Sequence, residues 1–108
     1  MVDNIFQYNS CDLEEERVDT LLAAPGLSIE RIVSKGHTSP AIGWYDQPVN
    51  EWVVVLKGEA LIAYENGSEV RLRAGEHLNI PAHCQHRVSW TDPEIETLWL
   101  AVHYPIEC

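Results

Sequence analysis

The stretch EWVVVLKGEALIAYENGSEVRLR, residues 51–73, decides the fold class. Its centre, Asn66-Gly67, separates two short runs, Glu59–Tyr64 and Val70–Arg73. Both turn residues tolerate positive φ, so this is the strongest hairpin signal in the chain. Upstream, Glu51–Lys57 carries Trp52, Val53, Val54, Val55 and Leu56, apolar on both parities. A strand of that pattern is expected to be covered on both faces. One face would look into a barrel, and the other would meet a second subunit or the N-terminal segment.

Outward from this hairpin the same texture continues. Leu27–Val33, Ala41–Tyr45, His77–Ile80, His86–Trp90 and Glu96–Tyr104 read as further strands, punctuated by Ser39-Pro40, Ala74-Gly75 and Thr91-Asp92-Pro93-Glu94. Seven or eight short strands with no long helix between them predict an all-β antiparallel sandwich or barrel. The one stretch with helical character is 12–24, DLEEERVDTLLAA. Ser10 or Asp12 would cap it, Glu14–Glu16 suit a helix N-terminus, and Pro25-Gly26 would stop it. The expected organisation is an acidic segment over 1–26, with a short helix or an irregular arm, followed by a barrel over 27–108.

The chain has 108 residues and a formal charge of -10. Such a field repels phosphates, so neither nucleic acid nor an anionic membrane is an expected partner. Half of the imbalance lies in residues 1–19, with six acids against Arg17. Three cysteines, Cys11, Cys84 and Cys108, are an odd number without a CxxC, which does not make a disulfide framework. The opening MVDNIFQYNSCDLEEERVD has neither a basic nor an apolar leader pattern, so the cytoplasm is the expected compartment.

Polar residues within apolar strands point to a site. Glu51 shares parity with Val53 and Val55, and His86 shares parity with Val88 and Trp90. A buried carboxylate must reach solvent, pair with a cation or ligate a metal. Imidazole with carboxylate suits a divalent ion such as Zn, Mn, Fe, Ni or Co. The alternatives are a carboxylate in water at a strand end and a histidine bonded to a backbone carbonyl. GxGxxG, the P-loop, HExxH and GxSxG are all missing.

At these residues the chain resembles the cupins. Gly43, Glu51 and Gly58 in GWYDQPVNEWVVVLKGE match their first motif, and Gly75, Pro81 and His86 in GEHLNIPAHCQH match the second. The resemblance covers roughly residues 29–104. It implies a double-stranded β-helix, or jelly-roll, of the RmlC-like kind with one metal inside the barrel, and makes Glu51 and His86 two of its ligands. More narrowly the chain is similar to small bacterial single-domain cupins of unestablished activity. It departs from the motifs where two histidines belong: Trp44 and Asp46, or Tyr45 and Gln47, stand there instead, and the second-motif glycine is His83. The implied site is Glu51 and His86 with Asp46 and one of Gln47 or His83.

Other candidates carry alternatives. His37 lies in a loop able to fold over the barrel mouth, and His77 starts a strand. His103 shares parity with Trp99 and Ala101, which leaves it lining the cavity or packing at the barrel's end. Arg31 or Arg87, if directed inward, would select a carboxylate or phosphate; otherwise they pair with surface acids. Cys84 is expected to be a small buried thiol, with a ligand or nucleophile as the alternatives. Trp44 and Tyr45 adjoin the pocket. The leading function is a small-molecule-binding cupin with a divalent metal, an isomerase or oxygenase of small organic substrates, working as a homodimer. Against it stand a non-catalytic ligand-binding or sensor module with a degenerate metal site, and a structural dimer whose Glu51 is satisfied by Arg87 or Arg31.

Overall fold

The computed structural model describes residues 2–8, 15–40 and 42–106. Eight strands follow in order: β1 (Arg17–Ala24), β2 (Leu27–Ser34), β3 (Asn50–Lys57), β4 (Glu59–Tyr64), β5 (Glu69–Arg73), β6 (His77–Ile80), β7 (His86–Thr91) and β8 (Thr97–Tyr104). No helix occurs among the described residues. All the strand pairs are antiparallel, in a five-stranded sheet of order β1-β2-β8-β3-β6 and a three-stranded sheet of order β5-β4-β7. Val53, Val55, Trp99 and Ala101 of the larger sheet meet Ala60, Ile62 and Leu72 of the smaller one in a common core. This is a jelly-roll barrel, and the Asn66-Gly67 hairpin closes β4 onto β5 as the sequence predicts.

The helix expected over 12–24 is corrected by β1. Residues 17–24 form a strand paired with β2, from Arg17↔Val33 to Ala24↔Leu27. Residues 12–14 and the proposed caps Ser10 and Asp12 lie outside the described residues. Pro25-Gly26, read as a helix stop, is the turn of a hairpin, with Gly26 at φ +76°. The register shifts between Thr20 and Leu22. Such a bulge puts one extra residue into the strand and breaks its period of two, which gave the stretch a helical look. Pairing with β2 then outweighs local propensity.

The strand expected at Ala41–Tyr45 is also absent from 42–45, Ala41 lying outside the described residues. Only isolated bridges remain, Ser39↔Val88 and Tyr45↔His86. Gly43 at φ +83° interrupts the extended backbone between them. Those two bridges still tie the loop across β7, which holds Tyr45 beside the start of that strand.

Alternation along β2 sends Glu30 and Ile32 inward and Arg31 to the outer face. There the Arg31 guanidinium donates to Asp19 at 2.9 Å and to the carbonyls of Ile5 and Gln7 at 3.3 and 3.1 Å. It also lies 5.6 Å from the centre of the Tyr8 ring. Residues 5–8 thereby pack on the outer face of the larger sheet at β2.

Gly58 makes the tight link between β3 and β4. At φ +91°, a Cβ there would stand 2.6 Å from Thr97 Cα and 2.8 Å from the carbonyl oxygen of Glu96. Gly67, at φ +93°, has nothing within 4 Å of that position. Gly58→Ala is therefore expected to cost roughly 2–4 kcal/mol, from backbone strain plus overpacking, and Gly67→Ala about 1 kcal/mol from strain alone. Urea denaturation of both variants checks the order; equal losses would contradict it.

Candidate functional site

Between the two sheets lies a cavity of about 200 Å³. Ile32, Val53, Ile62, Ile80, Val88 and Trp99 give it apolar walls, while Glu51, His86, His103 and Tyr45 form a polar cluster. Glu51 is 9 % exposed and His86 3 %. β3 and β8 pair so that Glu51 sits directly opposite His103. Cross-strand neighbours share a face, so both point into the barrel. His86 begins β7 in the facing sheet and closes on the same carboxylate.

The contacts are specific. Glu51 Oε1 is 3.4 Å from His86 Nε2, and Glu51 Oε2 is 3.4 Å from His103 Nε2. His86 Nδ1 lies 2.8 Å from the carbonyl oxygen of Cys84, so that nitrogen carries a proton and donates. The Tyr45 ring leans on His86 with centroids 5.6 Å apart. On its other side His103 Nδ1 is 3.3 Å from Ser28 Oγ and 3.5 Å from Glu30 Oε1. One carboxylate is thus flanked by two imidazoles, and one of these touches a second carboxylate.

Electrostatics follow from that packing. Burial works to raise the Glu51 pKa, but the contacts from His103 and His86 outweigh it and bring the group down to about 2. Burial works against a charged His86, yet Glu51 and the Cys84 carbonyl lift its pKa above the ordinary value. For His103 the Glu51 contact is the largest influence and raises the pKa against a smaller burial penalty.

The structure brings Glu51 and His86 together and places Gln47 on the cavity wall. Asp46 and His83 pair with each other at 2.8 Å, 44 % and 66 % exposed, away from the cavity lining. His83 and Gln85 hold the Asp46 carboxyl below its usual pKa. His83, where the motif has glycine, is at φ +61° and its amide donates to the carbonyl of Gln47 at 2.8 Å. The left-handed backbone suits glycine there; His83 adopts it at some strain.

His103 had the right strand parity, but its pairing with Glu51 depends on the β3–β8 register. Glu30 and Glu16, which also line the cavity, were missed. For Glu30 the signal was its shared parity with Ile32. Arg31 points outward, Arg87 is not part of the cavity lining, and neither contacts Glu51, so the ion pair suggested for a purely structural barrel does not form. His37 Nδ1 accepts from the Lys35 amide within its loop, and His77 is exposed and packs near the Trp52 ring. Among the described residues no group of three or more His, Cys, Asp or Glu side chains is arranged to hold a metal ion. The two oxygens of Glu51 face different imidazoles instead of converging with them on one point.

A jelly-roll barrel with a buried polar cluster at its cavity is the architecture of a cupin, and the comparisons agree. The family model for the cupin domain matches residues 31–103. This chain belongs to the cupins. It is similar, at 43 % identity and a TM-score of 0.91, to a protein of Ralstonia eutropha JMP134 solved under the provisional name mannose-6-phosphate isomerase, covering 98 % of this chain and 99 % of that one. A cupin superfamily protein of Desulfitobacterium hafniense DCB-2 shares the fold at 16 % identity and a TM-score of 0.72, over 86 % of this chain and 80 % of its own. The EutQ protein of Clostridium difficile does so at 21 % identity and 0.69, over 86 % and 70 %. Among curated proteins none matches this chain. No helix of the described residues is long and apolar enough to cross a membrane.

The cluster makes stability depend on pH in both directions. Glu51 is lowered from 4.5, so its contribution is present above that value and is lost as pH falls toward about 2. His86 and His103 are raised from 6.5, so theirs is complete below 6.5 and is lost as pH climbs through the folded values. The difference in Tm between the wild type and Glu51→Gln is therefore expected to be largest between pH 4.5 and 6.5. Thermal melts at half-unit steps test this, and a difference flat across pH would contradict it.

Proposed function

We propose that this cupin binds a small organic molecule in the barrel cavity and transfers protons on it, as an isomerase of carbonyl compounds does. The observation that carries the proposal is the Glu51 carboxylate held between His86 and His103 at one apolar cavity. Two imidazoles flanking one carboxylate can hold unequal protonation. His103, against both Glu51 and Glu30, keeps its proton longer and serves as the acid. His86 is more buried, faces a single carboxylate and has Nδ1–H committed to Cys84, so it is the first of the two to release its Nε2 proton, and in that neutral form Nε2 serves as the base. In a hydroxy-carbonyl compound, moving a proton from the hydroxyl-bearing carbon beside the carbonyl to Nε2 while His103 protonates the carbonyl oxygen gives an enediol; returning the Nε2 proton to the former carbonyl carbon while His103 takes the proton of the other hydroxyl completes an isomerisation. The similarity to the Ralstonia protein supports this class of reaction.

A divalent ion, Zn, Mn, Fe, Ni or Co, is a second reading, favoured by one observation. His86 and His103 both turn Nε2 toward Glu51 while the Nδ1 of His86 is tied to a carbonyl, which fixes the tautomer and ring orientation as it does for a ligating imidazole. Glu51, His86 and His103 would hold the ion only after the Glu51 oxygens turned to a common point with both imidazoles; there it would supply Lewis-acid polarisation of the carbonyl. Asp46 and His83, paired outside the cavity, would not reach it, and Gln47 on the wall is the remaining candidate from the motif. A binding or sensor role without turnover uses the same pocket. Homodimerisation through the outer face of the larger sheet is supported by Trp52, Val54, Leu100 and Val102, which share that face. A cytoplasmic location is supported by the free thiol of Cys84.

The test is deuterium wash-in from D2O at the carbon beside the carbonyl, followed by NMR over a panel of small hydroxy-aldehydes and hydroxy-ketones. Exchange is expected with the wild type, falling on the order of 100-fold to 10,000-fold in Glu51→Gln and His103→Asn. A panel left unexchanged would overturn the isomerase reading. Stoichiometric metal by elemental analysis, lost in Glu51→Ala, would favour the second.

A further inference from the structure

We propose that the cavity selects a small cationic ligand, an amine, and rejects phosphate esters and carboxylates; this rests on the small-molecule reading above. The cavity is lined by three carboxylates, Glu16, Glu30 and Glu51, and by two imidazoles, His86 and His103. Even with both histidines protonated, two positive charges face three negative ones.

No arginine or lysine offsets it. All seven bases of the chain fall among the described residues, and none lines the cavity. Most are committed elsewhere: Arg17 and Arg31 to Asp19, Arg71 and Arg73 to Glu59, and Lys57 to Glu96. Arg31, which the sequence offered as a means to recognise carboxylate or phosphate, is turned to the outer face by its strand parity. A phosphate in this cavity would lose its water without gaining a fixed cation or a bidentate guanidinium, and it would face like charge.

An ammonium group meets the opposite conditions. Glu30 lies on the wall beside Ile32, and its one cationic neighbour among the described residues is His103 at 3.5 Å. Glu16 accepts a hydrogen bond from Ser34 Oγ at 2.7 Å and has no cationic partner among the described contacts. Glu30 comes from β2 and Glu16 from the residue just before β1, and both line the cavity beside the Glu51 cluster. A ligand bearing an ammonium at that wall can present a hydroxyl or carbonyl to the histidines. The volume of about 200 Å³, below the usual range for drug-sized pockets, limits it to a small molecule.

Two matched series test the inference by NMR titration of isotope-labelled protein: 2-amino-1,3-propanediol, glycerol and glycerol 3-phosphate; and mannosamine, mannose and mannose 6-phosphate. The amines are expected to shift resonances of Glu30, Glu51 and Trp99 at the lowest concentrations. The phosphate esters should bind at least about tenfold more weakly than the amine of the same series. Glu30→Gln should reduce that discrimination while its spectrum stays that of a folded barrel. Phosphate esters binding as tightly as the amines would overturn the charge preference and leave the small-molecule reading standing. Failure of every compound to shift the cavity resonances would overturn both.

Discussion

A carboxylate carried into an apolar barrel is the constraint on which the rest of the molecule depends. Glu51 cannot stay charged there without positive partners, because burial alone would push its pKa up. His103 and His86 supply them, one from the adjacent strand of the same sheet and one from the facing sheet. That requirement links the two layers of the jelly roll through a polar contact placed among Val53, Ile80 and Trp99. It also explains why His86 needs the Cys84 carbonyl: with Nδ1–H anchored, the ring has one orientation, and Nε2 faces the carboxylate.

Charge in this protein is sorted by face. The overall balance of -10 first suggested only which partners to exclude. In the fold the bases are drawn to the outside, where Arg31 ties Asp19 and the carbonyls of Ile5 and Gln7 into one patch. Carboxylates of β2 and β3 are left in the cavity. The parity of β2 alone achieves this sorting, since Glu30 and Arg31 are consecutive and must project to opposite faces. A negative cavity inside an acidic protein therefore arises from strand geometry as well as composition.

Much of the barrel was legible because its strands keep a clean period of two between strong turn signals. The Asn66-Gly67 hairpin and the start of β6 at His77 needed nothing beyond local chemistry. β1 was hidden because a bulge near Leu21 broke its alternation and because acidic residues at its start imitate a helix N-terminus. Half of the cluster could also be seen in advance: Glu51 and His86 are the polar members of otherwise apolar strands. Asp46 and His83 drew attention by filling motif positions, yet the loops that carry them turn outward, with His83 in the left-handed conformation the motif's glycine would favour.

By itself the sequence determined the fold class, the turn positions, and the presence of one carboxylate and one imidazole that an apolar core would not tolerate unpaired. These follow from local sterics and from the period of side-chain alternation, both of which act over a few residues. Only the tertiary structure decided that His103, fifty-two residues from Glu51, is its second partner, that Glu30 stands behind His103, and that every arginine and lysine lies outside the cavity. Those facts depend on strand order and register. A shift of one residue between β3 and β8 would turn His103 away from Glu51, and no local pattern in the chain specifies that alignment.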